Sequence, residues 1–127
     1  MHRIIVTDKA PLPIGPYSQA VMAGDVLYVS GQIGLDPSTA ELCSNDVAQQ
    51  THQVCRNLIA IIEAAHLTLS DTIKLTVYLA TMDDYTAVNH VLMEYLKEPY
   101  PARVAVAVVS LPKMARVEID AIVGGLS

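Results

Sequence analysis

The sequence has no tryptophan and no phenylalanine, and only 17% of its residues are charged, against roughly 25% in an ordinary soluble domain. Without those two aromatics, the core has to be built from aliphatic side chains and six tyrosines. Lysine and arginine together number eight, never clustered, and the net charge is −5. Phosphate binding needs grouped cations, so nucleic acid is not expected as the main partner. The same shortage argues against docking on an anionic membrane surface. There is no apolar run long enough to span a bilayer and no charged-then-apolar leader pattern, so a cytoplasmic protein is expected. Cys43 and Cys55 form neither a metal motif nor a disulfide framework, and both are expected to be small buried hydrophobes. His52 and His66 have no matching carboxylate or cysteine, so no metal site is read.

Apolar residues, at 52% of 127, are what the chain has in plenty. That length suits one domain, residues 1–127, with a core of its own. An apolar, charge-poor chain of this size carries more adhesive surface than a monomer needs, and self-association is the expected outlet.

In chain order, residues 3–7 read as a first strand. The loop from Ala10 to Ala20 holds three prolines and a glycine, which stiffen its path and can hold Tyr17 at a fixed point. The plainer expectation is that Tyr17 packs on the core with its hydroxyl wet. Val21–Ala23 and Val26–Val29 flank Gly24-Asp25, a two-residue hairpin turn. The second strand ends in Ser30-Gly31-Gln32, where Gly31 permits a positive φ or a close backbone approach. Residues 36–40 read as a turn. Helix one starts near Ser44–Asp46 and repeats Val47, Thr51, Val54, Leu58, Ile61, Ile62 and Ala65 at helical spacing, with Gln49, Gln50, Gln53, Arg56, Asn57 and Glu63 on the other face. Residues 73–79 form a strand. Helix two follows, with Asp83 and Asp84 in its first turn and Tyr85, Val88, Leu92, Tyr95 and Leu96 as its stripe. Asn89 falls inside that stripe and needs hydrogen-bond partners, so it is expected to tie down a neighbouring loop.

Two β-branched runs flank a proline-containing connection between Pro99 and Asp120. Each carries an ionisable residue that packing does not explain: Arg103 opens the first, and Glu118 sits inside the second. Strand alternation puts Arg103 on one face with Ala105 and Ala107, whose small side chains leave room for an anion. A hairpin folded at Pro112 would pair Arg103 with Ala121 or Ile122, leaving Glu118 several residues away. Either the two residues do separate jobs or the two strands are not neighbours; the second is preferred. The order β-β-β-helix-β-helix-β-β favours a sheet with both helices on one face, the other face bare and apolar.

The motifs Lys9-Ala10-Pro11, Gly15-Pro16-Tyr17-Ser18-Gln19-Ala20, Val29-Ser30-Gly31-Gln32, Pro101-Ala102-Arg103 and Val117-Glu118-Ile119-Asp120-Ala121 occur in one collinear series. In that order and spacing the chain resembles the RidA (YjgF) family from about Arg3 to Val123. The resemblance implies a chorismate-mutase-like α+β fold with a mixed six-stranded sheet, two helices on one face, and a strand at 74–79 between the last two strands. It also implies a homotrimer with clefts between subunits. The implied activity is hydrolysis of enamine/imine intermediates, 2-aminoacrylate/2-iminopropanoate and 2-iminobutanoate, to 2-keto acids and ammonia, with no cofactor. Position by position, Arg103 would grip the substrate carboxylate and Glu118 would handle water or a proton. Tyr17, Ser30, Gly31 and Asn89 would line or support the cleft, and the Ala105 backbone N–H could add a donor. The chain departs from the pattern at Ala105, where this branch usually has cysteine, at Val104 where Ser or Thr is common, and at His66 where Gly is common. The chemistry is consistent: Arg offers a carboxylate two parallel charge-assisted hydrogen bonds, and a nearby carboxyl can move protons while water attacks C=N. Burial would raise the Glu118 pKa and Arg103 would lower it. The alternatives are a non-catalytic 2-keto acid binder of the same fold, an RNA-cleaving or translation-inhibiting protein, and, for Arg103 and Glu118, a plain interface salt bridge.

Overall fold

In the computed structural model, which describes residues 2–126, ten elements follow one another. They are β1 (His2–Ile5), β2 (Ala20–Ala23), β3 (Val26–Ile33), β4 (Leu35–Asp36), β5 (Glu41–Leu42), α1 (Val47–Ala64), β6 (Thr72–Leu79), α2 (Tyr85–Tyr95), β7 (Ala102–Ala107) and β8 (Val117–Gly124). Six strands form one mixed sheet in the order β1-β2-β3-β8-β6-β7. Only β6 and β7 run parallel, because the crossover helix α2 joins them. The fold is the expected α+β arrangement, and β6 does separate β7 from β8.

Alternation divides the sheet into two unlike faces. Leu75, Val77 and Leu79 of β6 and Val117, Ile119, Ala121 and Val123 of β8 are buried in one cluster with Val54, Leu58, Ile61 and Ile62 of α1. Fully burying each Val, Leu or Ile side chain of this cluster stabilises by about 1.5–3 kcal/mol. The opposite face carries no helix. There Ile4 and Tyr28 are each about half exposed, and Val104 and Val106 are open as well.

Several local expectations shift. β1 ends at Ile5 rather than residue 7, β7 stops at Ala107, and β3 runs on past Gly31 to Ile33. The turn at 36–40 sits inside a small two-stranded hairpin, β4–β5. Every residue of the predicted α1 stripe is buried, but so are Gln50 and Asn57 from the face expected to be wet. Asn57 Nδ2 donates to the carbonyl of Leu35 at 3.0 Å, and Gln50 Oε1 accepts from the Arg116 amide at 2.8 Å. Both polar side chains are therefore core ties to the β3–β4 junction and to the start of β8. Asp83 and Asp84 lie in a short 3-10 turn before α2. Asp84 is buried because the Arg116 guanidinium holds it through two bonds of 2.7 and 3.1 Å. Cys55 is buried as expected, and its thiol is pushed up to about 12 by burial. Cys43 is exposed, against expectation, because it precedes α1 at the end of the small hairpin.

The departure at His66 has a structural meaning. Helix α1 closes with the His66 amide donating to Glu63 O and the Leu67 amide to Ile62 O, the two bonds of a Schellman cap. His66 occupies the left-handed position with φ 63°, where glycine avoids a Cβ clash. His66→Gly should raise stability by about 0.5–1 kcal/mol in urea unfolding, the relief of strain outweighing glycine's extra entropy. A loss of stability would contradict this account of the cap.

Candidate functional site

The Glu118 side of the molecule is built from an irregularity in β3. Val29 stands opposite Ala121 and Gln32 opposite Ile119, so β3 takes one step more than β8 between those pairs. Ser30 and Gly31 form the bulge, and it turns the strand outward at that point. The same two residues meet the proline-rich loop. Ser30 N donates to Gln19 O at 2.9 Å, and Ser30 Oγ donates to Ser18 O at 2.6 Å. Gln19 is buried, and its amide finishes the fastening. Its Nε2 donates to the carbonyls of Thr7, Ala10 and Pro11, and its Oε1 accepts from the Thr7 amide. Tyr17 is carried on this fastened loop and stays about half exposed.

Tyr17, Ser30, Gly31, Lys113 and Glu118 line a cavity of about 360 Å³. Gly31 does not use a positive φ. It is needed for close approach, because a Cβ there would stand 3.0 Å from Glu118 Cδ and overlap the carboxylate oxygen. Burial pushes the Glu118 carboxyl above its ordinary range, and the negative charge of Asp120 adds to the shift. Asp120 lies two residues on along β8, on the same face. It accepts a 3.0 Å hydrogen bond from the hydroxyl of Tyr78, the cross-strand neighbour of Glu118. That bond raises the Tyr78 pKa in turn.

The Arg103 side is built from β7 and α2. Arg103 pairs with Leu75, so it shares the helix-bearing face. Tyr85 and Asn89, one turn apart on α2, both meet it. Arg103 NH1 donates to Asn89 Oδ1 at 2.5 Å, and NH2 donates to the Tyr85 hydroxyl at 2.7 Å. The guanidinium carbon also stands 5.5 Å from the centre of the Tyr85 ring, within cation–π range. Asn89 thus holds the arginine rather than a loop. Tyr85 was legible only as an apolar stripe position; the available signal was its spacing of four from Asn89. Ala105 follows Arg103 on the same face, half-buried against the core in an edge strand. Arg103, Asn89, Leu92, Met93, Leu96 and Tyr100 line a second cavity of about 410 Å³.

The two halves do not meet within one chain. Arg103 faces the helices, whereas Glu118, paired with Tyr78, faces the helix-free side. Arg103, Asn89 and Ala105 form one group; Tyr17, Ser30, Gly31 and Glu118 form the other.

A small α+β chain with an arginine on one sheet face and a partly buried glutamate on the other can now be set beside known proteins. The family model described as Endoribonuclease L-PSP matches residues 7–124. A RutC family protein of Pyrococcus horikoshii is 52% identical over 122 residues, covering 96% of this chain and 97% of that protein. The Homo sapiens protein named 2-iminobutanoate/2-iminopropanoate deaminase is 44% identical over 122 residues, covering 96% of this chain and 89% of that protein. The crystal structure of Escherichia coli TdcF with bound serine matches with a TM-score of 0.92 at 38% identity, covering 98% of this chain and 99% of that one. The chain belongs to the Endoribonuclease L-PSP family, also called RidA or YjgF.

Asp120 raises the proton affinity of Glu118, so removing its charge must lower it. Asp120→Asn should move the Glu118 protonation midpoint to lower pH, read from its side-chain carboxyl carbon by NMR. An unmoved midpoint would exclude Asp120 as a cause.

Proposed function

We propose that this protein hydrolyses reactive enamine and imine intermediates, 2-aminoacrylate/2-iminopropanoate and 2-iminobutanoate, to 2-keto acids and ammonia, without a cofactor, in a cytoplasmic homotrimer. The observation that carries this reading is the division of the site. An arginine held on two anchors stands on one sheet face, and a glutamate of raised proton affinity stands on the other. The match to proteins named for this activity at 44% identity supports the same chemistry.

Two copies of the chain complete the site. One contributes Arg103, Asn89 and Ala105, the next Tyr17, Ser30, Gly31 and Glu118. The helix-free face, with Ile4, Tyr28, Val104 and Val106 exposed, is the apolar surface the copies bury. Arg103 binds the substrate carboxylate through two parallel N–H bonds and fixes the plane of the C=N group. The protonated Glu118 carboxyl gives its proton to the imine nitrogen; water then bonds through its oxygen to the carbon, the C=N π pair moves to nitrogen, and one water proton passes to the Glu118 carboxylate. Glu118 passes that proton on to the amine nitrogen, the C–N bond breaks as the hydroxyl oxygen forms C=O, and the hydroxyl proton returns to Glu118, leaving keto acid and ammonia. A carboxyl with raised proton affinity suits these transfers. Imines hydrolyse unaided in water, so orientation and one proton shuttle supply a useful acceleration. Ala105 has no thiol, and water, not sulfur, is the nucleophile in this scheme.

The non-catalytic reading is separated by titrating 2-ketobutyrate while following imine hydrolysis in a coupled dehydratase assay: a mere binder saturates without turnover. The family description brings in RNA cleavage, which the net charge of −5 opposes. Salt-dependent RNA binding checks it.

Arg103→Lys should lose most imine hydrolysis, about tenfold or more, because an ammonium cannot make the planar two-point contact. Full activity in that variant would count against the proposed role. Arg103→Lys and Glu118→Gln chains, each weak alone, should recover about one quarter of wild-type activity when unfolded and refolded together. In a randomly mixed ring, that fraction of clefts joins an intact arginine to an intact glutamate. No recovery in mixed assemblies would mean that the two residues do not act across a subunit boundary.

A further inference from the structure

The candidate residues leave the Tyr85 hydroxyl, at the Arg103 side, without a role. Tyr85 lies at the first position of α2, half-buried, with its ring beneath the guanidinium and its oxygen 2.7 Å from NH2. Asn89, one turn later, takes NH1 at 2.5 Å. A guanidinium has five N–H donors. These two contacts commit one on each terminal nitrogen and leave three, one of them on Nε. The side chain itself is exposed. A long, exposed arginine ordinarily samples many rotamers, and ordering it on ligand binding costs entropy. Here two acceptors on one rigid helix fix the plane before a ligand arrives.

We propose that Tyr85 is a positioning residue for the carboxylate site, its hydroxyl presetting the plane of Arg103 so that the uncommitted N–H groups face the 410 Å³ cavity. The proposal rests on the reading of Arg103 as the carboxylate-binding group.

Tyr85 acts through Arg103 rather than on the ligand. The two hydrogens of a planar NH2 group diverge by 120° in ideal geometry. Two oxygens accepting them at ordinary hydrogen-bond lengths stand about 4.8 Å apart. A carboxylate oxygen on the second NH2 hydrogen therefore lies beyond reach of the Tyr85 hydroxyl. The ring contributes separately. Its face attracts the cation whether or not the hydroxyl is present, so Tyr85→Phe removes the hydrogen bond and keeps the stack. Asn89 alone would leave the guanidinium free to swing about the remaining contact. The expected consequence is a weaker grip in ground and transition states alike, which raises KM and leaves kcat in place.

The test uses Tyr85→Phe in the full chain, with 2-ketobutyrate and its neutral amide as probes. Wild-type protein should bind 2-ketobutyrate about three- to tenfold more tightly than Tyr85→Phe. The amide should bind both proteins equally weakly. In imine hydrolysis, KM should rise by the same factor with kcat unchanged. The Arg103 Nε–H resonance, assigned from its loss in Arg103→Lys, should broaden in Tyr85→Phe as the side chain gains motion. An unchanged Kd and an unchanged Arg103 resonance would overturn the proposal. So would a fall in kcat with KM unmoved, which would put Tyr85 in the chemical step. Weaker binding of both probes together with a lower melting temperature would also overturn it, as a general loosening of α2. If wild-type protein neither binds 2-ketobutyrate nor hydrolyses imines, the carboxylate reading of Arg103 is what fails.

Discussion

A β-strand sends successive side chains to opposite faces, and that single constraint governs how this molecule can do chemistry. Arg103 is in register with Leu75, and Glu118 with Tyr78. Leu75 and Tyr78 are three positions apart on β6, so the two charged residues fall on different sides of the same sheet. On the proposed reading, chemistry that needs both draws on two copies, and the bare apolar face gives the copies a reason to associate. Burial of that face and assembly of the site are the same event in this scheme.

Much of the sheet was readable from the chain. The two helix crossovers pointed to a sheet with both helices on one face, and the poor registry of a direct Pro112 hairpin pointed to last strands that are not neighbours, as β6 between them bears out. The α1 stripe was also legible, since seven apolar or small positions at helical spacing are all buried. What periodicity could not reveal was polar burial. Gln50 and Asn57 look like solvated positions, yet they serve carbonyl and amide groups that the β3–β4 and β8 backbones leave open. Asp84 was likewise read through the helix dipole, whereas its actual partner is Arg116, distant in sequence. Pairings of this kind depend on tertiary placement, which local pattern does not encode.

The site was legible unevenly for the same reason. Arg103 and Glu118 stood out because charge inside a β-branched run is costly without a purpose. Gly31 stood out as a glycine at a strand's irregular end, but the sequence left open whether φ or closeness required it. Contact with Glu118 decides for closeness. Tyr85 gave no such signal, since a tyrosine at a stripe position looks like core. Gln19 was equally silent, although its four hydrogen bonds hold the loop that carries Tyr17.

The alanine at position 105 bears on the chemistry proposed for this site. Neither cysteine lines the two cavities that hold the candidate residues. Cys55 is buried with a proton affinity far too high for a thiolate near neutrality. A mechanism through a covalent sulfur intermediate thus has no nucleophile available at this site. Hydrolysis of an imine does not require one, because the electrophile already reacts with water and the obstacle is orientation and proton movement. An anchored guanidinium and one carboxyl of raised proton affinity meet those two needs. The alanine removes a thiol while preserving the edge strand that carries Arg103. On the proposed reading the protein is a catalyst of position and proton transfer, its effectiveness set by how firmly α2 holds one arginine and how closely a second chain brings one glutamate.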